Sequence, residues 1–524
     1  MSKKINEHDK NLIKKVISTK AILFFLSIIV ITSLITRIYF LNFEIPLSHD
    51  ALNYFFYALD IKNNNQLPIN YSLANPGWGI FLSIFFSNFE SQNVLDYMNL
   101  QKNLSILISS LTILPMYLLC KKFFNKPYSL LGGLIIGFEP HLIQNSLLGI
   151  SDSLYIILIV ISFLLYFNEN KIIKYISFII VGFCTIVRGE GIFLLIPFLL
   201  ITILNKNKNK TKIFDVIVSG LIFSIIFLPM ALIQFEINEN DMAFGRMINT
   251  IEAHTIDSKN EGNITGIDFI VNGIENFPKY LGWNLIPIFL PLLPIGFVLM
   301  FKNWNYKIKT IFVSLIFMSL PPFYAYAISI QDGRYFFFLY PIFIILSILT
   351  IEKIGNKFNE KIIFVVIISF IIISSGIYSN LKIENNLEEQ IFIAEIISKT
   401  PKIINDYSGS KYLEVQNYPK NFNEFKKFFE LERIDNESIR SLVPQKISII
   451  PILDHQDIEN FIFSNQSSLT HLIVENNQES KLYDIFINEK NYPYLEKKYD
   501  SSLENFEYQV KIFEINFQKF NKLK

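Results

Sequence analysis

A small set of ionisable side chains punctuates an otherwise greasy chain. Asp50 lies in "PLSHDALNYFF", Glu139 in "GFEPHLIQNS" and Asp152 in "GISDSLYIIL". Arg188 and Glu190 share "VRGEGIFLL", and Asp332 and Arg334 share "QDGRYFFFLYP". A carboxylate can take a proton from a hydroxyl. A guanidinium fork matches phosphate oxygens in a bidentate way. Acids and arginines in company therefore suit acid–base chemistry beside an anion.

The elements that carry them are apolar. Of 524 residues 51% are hydrophobic, and the mean hydropathy of +0.35 is too high for an ordinary soluble enzyme. A net charge of +1 gives no reason to expect nucleic acid as a partner. The two cysteines, Cys120 and Cys184, sit inside apolar runs and cannot build a disulfide framework or a metal cluster. Spanning a bilayer takes roughly 20 mainly apolar residues. About eleven such segments can be read, near 20–41, 102–120, 128–146, 150–167, 172–187, 191–204, 213–235, 284–301, 309–328, 334–351 and 361–379. The first run lacks a small-residue cleavage site, so no signal peptide is expected.

Lysines set the orientation. Lys3, Lys4, Lys10, Lys14 and Lys15 make residues 1–19 a cytoplasmic N-terminus, and alternate loops are basic in turn, as at Lys121–Lys122 and Lys206–Lys212. The expected organisation is a transmembrane domain over 20–380 with outer loops at 42–101 and 236–283, followed by an extracytoplasmic domain over 381–524. The second loop contains Arg246, His254, Asp257 and Lys279. In the tail, "KISIIPIL", "THLIVEN" and "YQVKIFEIN" read as strands and "ESKLYDIFINEK" as a helix, which suggests a small α/β fold.

On this map the ionisable residues gather on the outer face, while inner turns carry almost only lysine. Charge at membrane depth is expensive and usually faces a polar cavity or another charge. Each residue also has a plain structural reading. Asp50 and Asp152 stand where helices begin and would serve as caps. Glu139 would neighbour lipid headgroups, Arg188 and Arg334 would anchor at the interface, and His49 and His141 would be surface residues. The run "RYFFFLY" would pack against lipid. Their joint placement on one face favours a site.

The order of motifs resembles the membrane glycosyltransferases of the GT-C fold, in the group related to protein O-mannosyltransferases and lipid A aminoarabinose transferases. The first-loop acid is matched by Asp50-Ala51 with Tyr54, and the Pro-Gly before a greasy helix by Pro76-Gly77 in "NPGWGIFLSIFF". Ser151-Asp152 matches the acid opening the fourth span, where the family more often has Glu. "RGEG", from Arg188, matches its Arg-x-Glu-Gly turn, and Arg334-Tyr335 with Pro341 its late Arg-Tyr. The family's double acid in the first loop is reduced to one here, flanked by His49. The Trp-Trp-Asp-Tyr-Gly motif of oligosaccharyltransferases is absent, which argues against transfer of a whole glycan.

The resemblance implies a polytopic plasma-membrane enzyme that takes a sugar from a polyprenyl- or dolichyl-phosphate donor. The acceptor is a hydroxyl of a protein, lipid or glycan. Asp50 is then the general base, and Asp152 is the second catalytic residue, orienting the acceptor or holding a divalent cation. Arg188, Arg334, Glu139, Glu190, Tyr54 and Arg246 are substrate-binding candidates, with the arginines at the lipid phosphate. His49, Asp50 and Asp152 are the candidates for holding a divalent metal ion. The alternative is a transporter or lipid-linked-sugar flippase. Transporters tend to place polar or broken helices at the midplane in repeated halves, and neither feature is read here.

Overall fold

A computed structural model describes residues 18–68, 73–204, 212–238, 266–328, 330, 332–381 and 387–398, and further on 403–405, 410, 412–413, 420–424, 448–450, 457–478 and 480–523. The chain is mostly helical. In order the helices are α1 (Thr19–Phe40), α2 (Asp50–Asn64), α3 (Gly77–Ser87), α4 (Val94–Leu111), α5 (Ile113–Cys120) and α6 (Lys126–Phe138). Next come α7 (Pro140–Leu147), α8 (Asp152–Tyr166), α9 (Lys171–Val187), α10 (Ile192–Leu204), α11 (Lys212–Asn238) and α12 (Gly266–Leu285). They are followed by α13 (Leu293–Lys302), α14 (Tyr306–Met318), α15 (Leu320–Ala327), α16 (Tyr340–Gly355), α17 (Glu360–Leu381) and α18 (Leu387–Ser398).

Among the described residues six helical stretches are long and apolar enough to cross a membrane: Thr19–Phe40, Val94–Cys120, Lys212–Glu236, Tyr306–Ala327, Gly333–Gly355 and Glu360–Asn380. Other expected spans are shorter helices. The 15 residues of α8 rise only about 22 Å, against a hydrocarbon core of roughly 30 Å. The span expected at 128–146 breaks in two at Glu139-Pro140. Glu139 ends α6, and its carboxylate accepts the Leu142 N–H to start α7. Side-chain caps from Ser18, Asn125, Asn170 and Asn305 open α1, α6, α9 and α14.

The chain forms two compact units. The first holds residues 1–41, 72–84 and 100–382, and the second 42–71, 85–99 and 383–524. The first unit has one continuous apolar core, into which α16 is sunk along almost its whole length. The run Phe336–Phe338, expected to face lipid, is buried in that core. It forms a 3-10 turn, Gly333–Leu339, that tucks its rings beneath α8 and α12.

The second unit contains a five-stranded sheet in the order β2-β1-β3-β5-β4, formed by β1 (Ile403–Asn405), β2 (Ser448–Ile450), β3 (His471–Glu475), β4 (Leu495–Asp500) and β5 (Val510–Ile515). β1 pairs in parallel with β2 and β3, while β5 runs antiparallel to β3 and β4. The alternating strand pattern and the short helix Tyr483–Ile487 bear out the α/β reading of the tail. His471 lies mostly buried on β3, its Nδ1 3.0 Å from the Thr470 hydroxyl. Burial holds its imidazole below the ordinary 6.5, against the opposing pull of Glu514. The unfolded chain takes up that proton as pH falls through about 6.5 and the folded one resists, so stability is lost toward acid pH. Thermal unfolding should therefore fall with acidification, and His471→Gln should make the fall shallower. Identical slopes for both proteins would count against this.

The first loop joins this unit through several contacts. Phe422 N–H donates to the Gln92 carbonyl at 2.6 Å and Val94 N–H to that of Lys420 at 3.1 Å, around a bridge between Asn93 and Asn421. The Phe422 ring stacks on Tyr97 at 4.4 Å. Lys62, near the end of α2, donates to the Tyr97 hydroxyl at 2.6 Å and the Phe89 carbonyl at 2.8 Å. An aromatic pair contributes about 0.5–1.5 kcal/mol beyond its burial. Phe422→Ala should thus leave the chain folded but open the 85–99 segment to protease sooner than in wild type, with Phe422→Tyr restoring resistance.

Candidate functional site

The site in the first unit is built from two turns and one helix start. At the end of α9, Arg188 is extended, and the next three residues, Gly189–Gly191, make a single 3-10 turn that carries Glu190. Arg188 Nη1 donates to Asp152 Oδ1, while Nη2 meets Glu190 Oε1 at 3.1 Å and Nε meets Oε2 at 3.5 Å. The guanidinium lies 5.8 Å from the ring centre of Tyr155, one turn into α8. One arginine is thus held between two acids and over an aromatic face. Its side chain is 14% exposed, with Asp152 at 4% and Glu190 at 21%. Glu190 is the more open acid.

Two motifs far apart in sequence meet here. The Gly189 N–H donates to Asn75 Oδ1 at 3.0 Å, and Gly77 lies against the backbone of Val187, where an added Cβ would come within 2.8 Å. Only glycine permits that approach. Trp78 Nε1 and Gln101 Nε2 both donate to the Gly149 carbonyl, at 2.9 and 2.8 Å, which fixes the turn just before Asp152. The "NPG" and "RGEG" stretches therefore form one scaffold around the Arg188 cluster.

The second arginine sits on an adjoining turn. Asp332 caps Gly333–Leu339, accepting the Arg334 N–H at 2.9 Å and Arg334 Nε at 2.6 Å. Arg334 is 32% exposed, more open than Arg188. Tyr335 is within electrostatic reach of both pairs, and Phe338 of the same turn contacts the Tyr155 ring at 5.6 Å.

Several plain readings are corrected. The helix-start residue Ser151 makes no capping bond, and Asp152 spends its oxygens on Arg188 and on Asn145 Nδ2, the latter at 3.2 Å. Arg188 and Arg334 are paired rather than anchored in headgroups. Glu139 is buried and takes His141 Nδ1 at 2.8 Å, and His141 Nε2 meets the Tyr378 hydroxyl at 2.9 Å. It is a structural hub rather than a headgroup neighbour, and His141 is no surface residue. In the second unit Asp50 is the first residue of α2, not its cap. His49 occupies the cap position with no side-chain bond.

His49 adopts φ 49° and ψ −125°, a conformation costly for a side chain with a Cβ. This strained turn leaves Asp50 exposed while Ala51 to Asp60, apart from half-buried Asn53, are buried; Tyr54 is among the buried residues. Arg246, with His254 and Asp257, lies outside the described residues. Among the described residues no three His, Cys, Asp or Glu side chains form a metal-ligating group. Asp152, one of the metal candidates, has a guanidinium and an amide as neighbours instead. The described residues do not fit a divalent cation at Asp152.

Sequence reasoning missed three polar side chains. Asn75 and Asn145 are buried or half-buried amides that hold the Gly189 turn and Asp152. Arg37, within α1, is fully buried. Its Nη1 donates to the Ser33 hydroxyl and to the Gly137 carbonyl at 2.7 Å, its Nη2 to Ser109 Oγ at 3.1 Å, and it feels the Glu139 carboxylate. An arginine inside a first span was a legible signal. An asparagine in an Asn-rich chain was not.

The bundle of long and broken apolar helices carries charged turns at the start of α8 and the end of α9. The chain has the GT-C fold and, in residues 101–233, matches the family of dolichyl-phosphate-mannose-protein mannosyltransferases. It is similar to ArnT from Cupriavidus metallidurans bound to undecaprenyl phosphate, with a TM-score of 0.54 and 10% identity over 93% of this chain and 97% of that one. It is also similar to the Archaeoglobus fulgidus oligosaccharyltransferase in its apo form, with a TM-score of 0.53 and 11% identity over 92% and 73% of the two chains. No curated protein sequence matches the chain.

Proposed function

We propose that this protein transfers a sugar from a polyprenyl- or dolichyl-phosphate carrier to an acceptor hydroxyl at the outer face of the plasma membrane, with inversion. The observation that carries the reading is the Asp152–Arg188–Glu190 cluster, a partly open charged site on a GT-C fold with Arg334 on the next turn. The family match over 101–233 spans that cluster, and the ArnT relative is bound to undecaprenyl phosphate.

The acceptor oxygen attacks the anomeric carbon as the carbon–oxygen bond to phosphate breaks. The carrier leaves with that electron pair, and Asp50 takes the hydroxyl proton. The carrier changes from a phosphodiester to a phosphomonoester, so its negative charge grows along the reaction. Cations beside it stabilise the transition state more than the ground state. Arg188 and Arg334 take that role, Arg334 as the more accessible of the two. Asp152 and Glu190 hold Arg188 in place, and Glu190, the more open of the two, also meets sugar hydroxyls. The strained His49 turn supports a functional role for Asp50, because strain persists where the surroundings enforce it.

The test is transfer by the purified protein with a panel of short polyprenyl-phosphate sugars and hydroxyl acceptors, following release of polyprenyl phosphate. Release that needs both donor and acceptor supports the reading. Movement of lipid-linked sugar across vesicles without release would replace it with transport. Arg334→Ala should raise the donor KM by roughly tenfold, the worth of one charge-assisted contact, and leave the acceptor KM nearly unchanged. Equal changes in both would remove Arg334 from the phosphate.

A further inference from the structure

The buried polar groups behind the Arg188 cluster include one with no task in the reaction above. Asn145, near the end of α7, is 4% exposed. Its Nδ2 donates to Asp152 Oδ2 at 3.2 Å, on the carboxylate oxygen not taken by Arg188. Its Oδ1 is buried and meets no protein donor. The amide cannot turn round to repair this, because its oxygen would then face the carboxylate. Asn145 also lines a small cavity of mixed character, walled by Ser109, Thr112 and Ser153 together with Ile136, Leu142 and Ile156. The space holds about one water molecule. Ser109 is in turn the acceptor for buried Arg37.

We propose that Asn145 is the positioning residue of Asp152, its far side solvated by a water in this cavity and its near side clamping the carboxylate under Arg188. The inference rests on the transferase reading for its kinetic consequence but not for its structural one. Arg188 fixes one oxygen of Asp152, and a carboxylate gripped at one oxygen can still swing. The amide removes that freedom. A displacement of about 1 Å at a reacting centre costs on the order of a hundredfold in rate, so a side chain that never touches substrate can matter. Ser109, on the wall of the same cavity, accepts from the buried Arg37.

Two substitutions separate positioning from packing. Asn145→Leu keeps the branched outline, with somewhat more bulk, but removes the donor, and it should lower kcat by roughly tenfold or more at every pH, with donor KM little changed. Asn145→Asp keeps the shape and places a second carboxyl against Asp152. Ionised, it repels; protonated, it donates the same hydrogen bond. Its deficit relative to wild type should therefore be largest near pH 8 and shrink toward about pH 5.5. The same acid rescue should appear in thermal unfolding in detergent, which needs no turnover. A wild-type-like pH profile for Asn145→Asp in melting, or undiminished kcat for Asn145→Leu, would overturn the proposal. Acid rescue of melting in a protein that shows no transfer would uphold the Asn145–Asp152 coupling and reject the transferase reading alone.

Discussion

Asp50→Asn should lower sugar transfer by roughly 10²- to 10⁴-fold, the range that a positioned general base contributes, while expression, membrane insertion and melting stay at wild-type levels. The expectation of an intact fold follows from the site. Asp50 is exposed at the first position of α2, and the Ala51 N–H donates to the Ser48 carbonyl at 3.1 Å. Asparagine has the same shape and is tolerated at helix starts. What disappears is a basic oxygen. Single-turnover release of polyprenyl phosphate is the direct readout, since it isolates chemistry from product release. Turnover within a few-fold of wild type would leave Asp50 as an ordinary helix-start acid.

Arg188→Ala should cost both activity and stability. Asp152 is almost fully enclosed, and removing its cation leaves a buried carboxylate uncompensated, a change worth on the order of 3–5 kcal/mol in comparable pairs. Glu190, at 21% exposure, has water to turn to and suffers less. The double variant Arg188→Ala/Asp152→Asn removes the stranded charge and should melt above the single variant, although it transfers no better. Thermal unfolding in detergent ranks the three proteins. If the single and double variants melt together, the pair contributes little to the fold and its worth lies in binding alone.

Much of this site was legible because it follows from local rules. Charge inside greasy segments must be paired or solvated, and the grouping of Asp152, Arg188 and Glu190 obeys that. The break at Glu139-Pro140 inside the span read at 128–146 was not read, although proline starts helices well and continues them badly. The failures share a cause. "RYFFFLY" looks the same to a reader whether its rings meet lipid or a protein core, and only the 3-10 turn at Gly333 decides. Asn75 became important through a partner 114 residues away and Asn145 through one 7 residues away. No spacing rule points to either. The attachment of the 85–99 segment to the 420–424 segment depends on a bridge and a stacked ring pair from opposite ends of the chain. Nothing in either stretch marks it.

That attachment also sets a timetable. Tyr97 leaves the ribosome about 325 residues before Phe422, and synthesis runs at roughly 5–20 residues per second. For something like 15 to 65 seconds the loop that carries Asp50 waits without its stacking partner, while the spans between them are being inserted. A truncated or stalled chain would display the acid without the contacts that hold its loop. Such a product would be open to proteolysis at the loop.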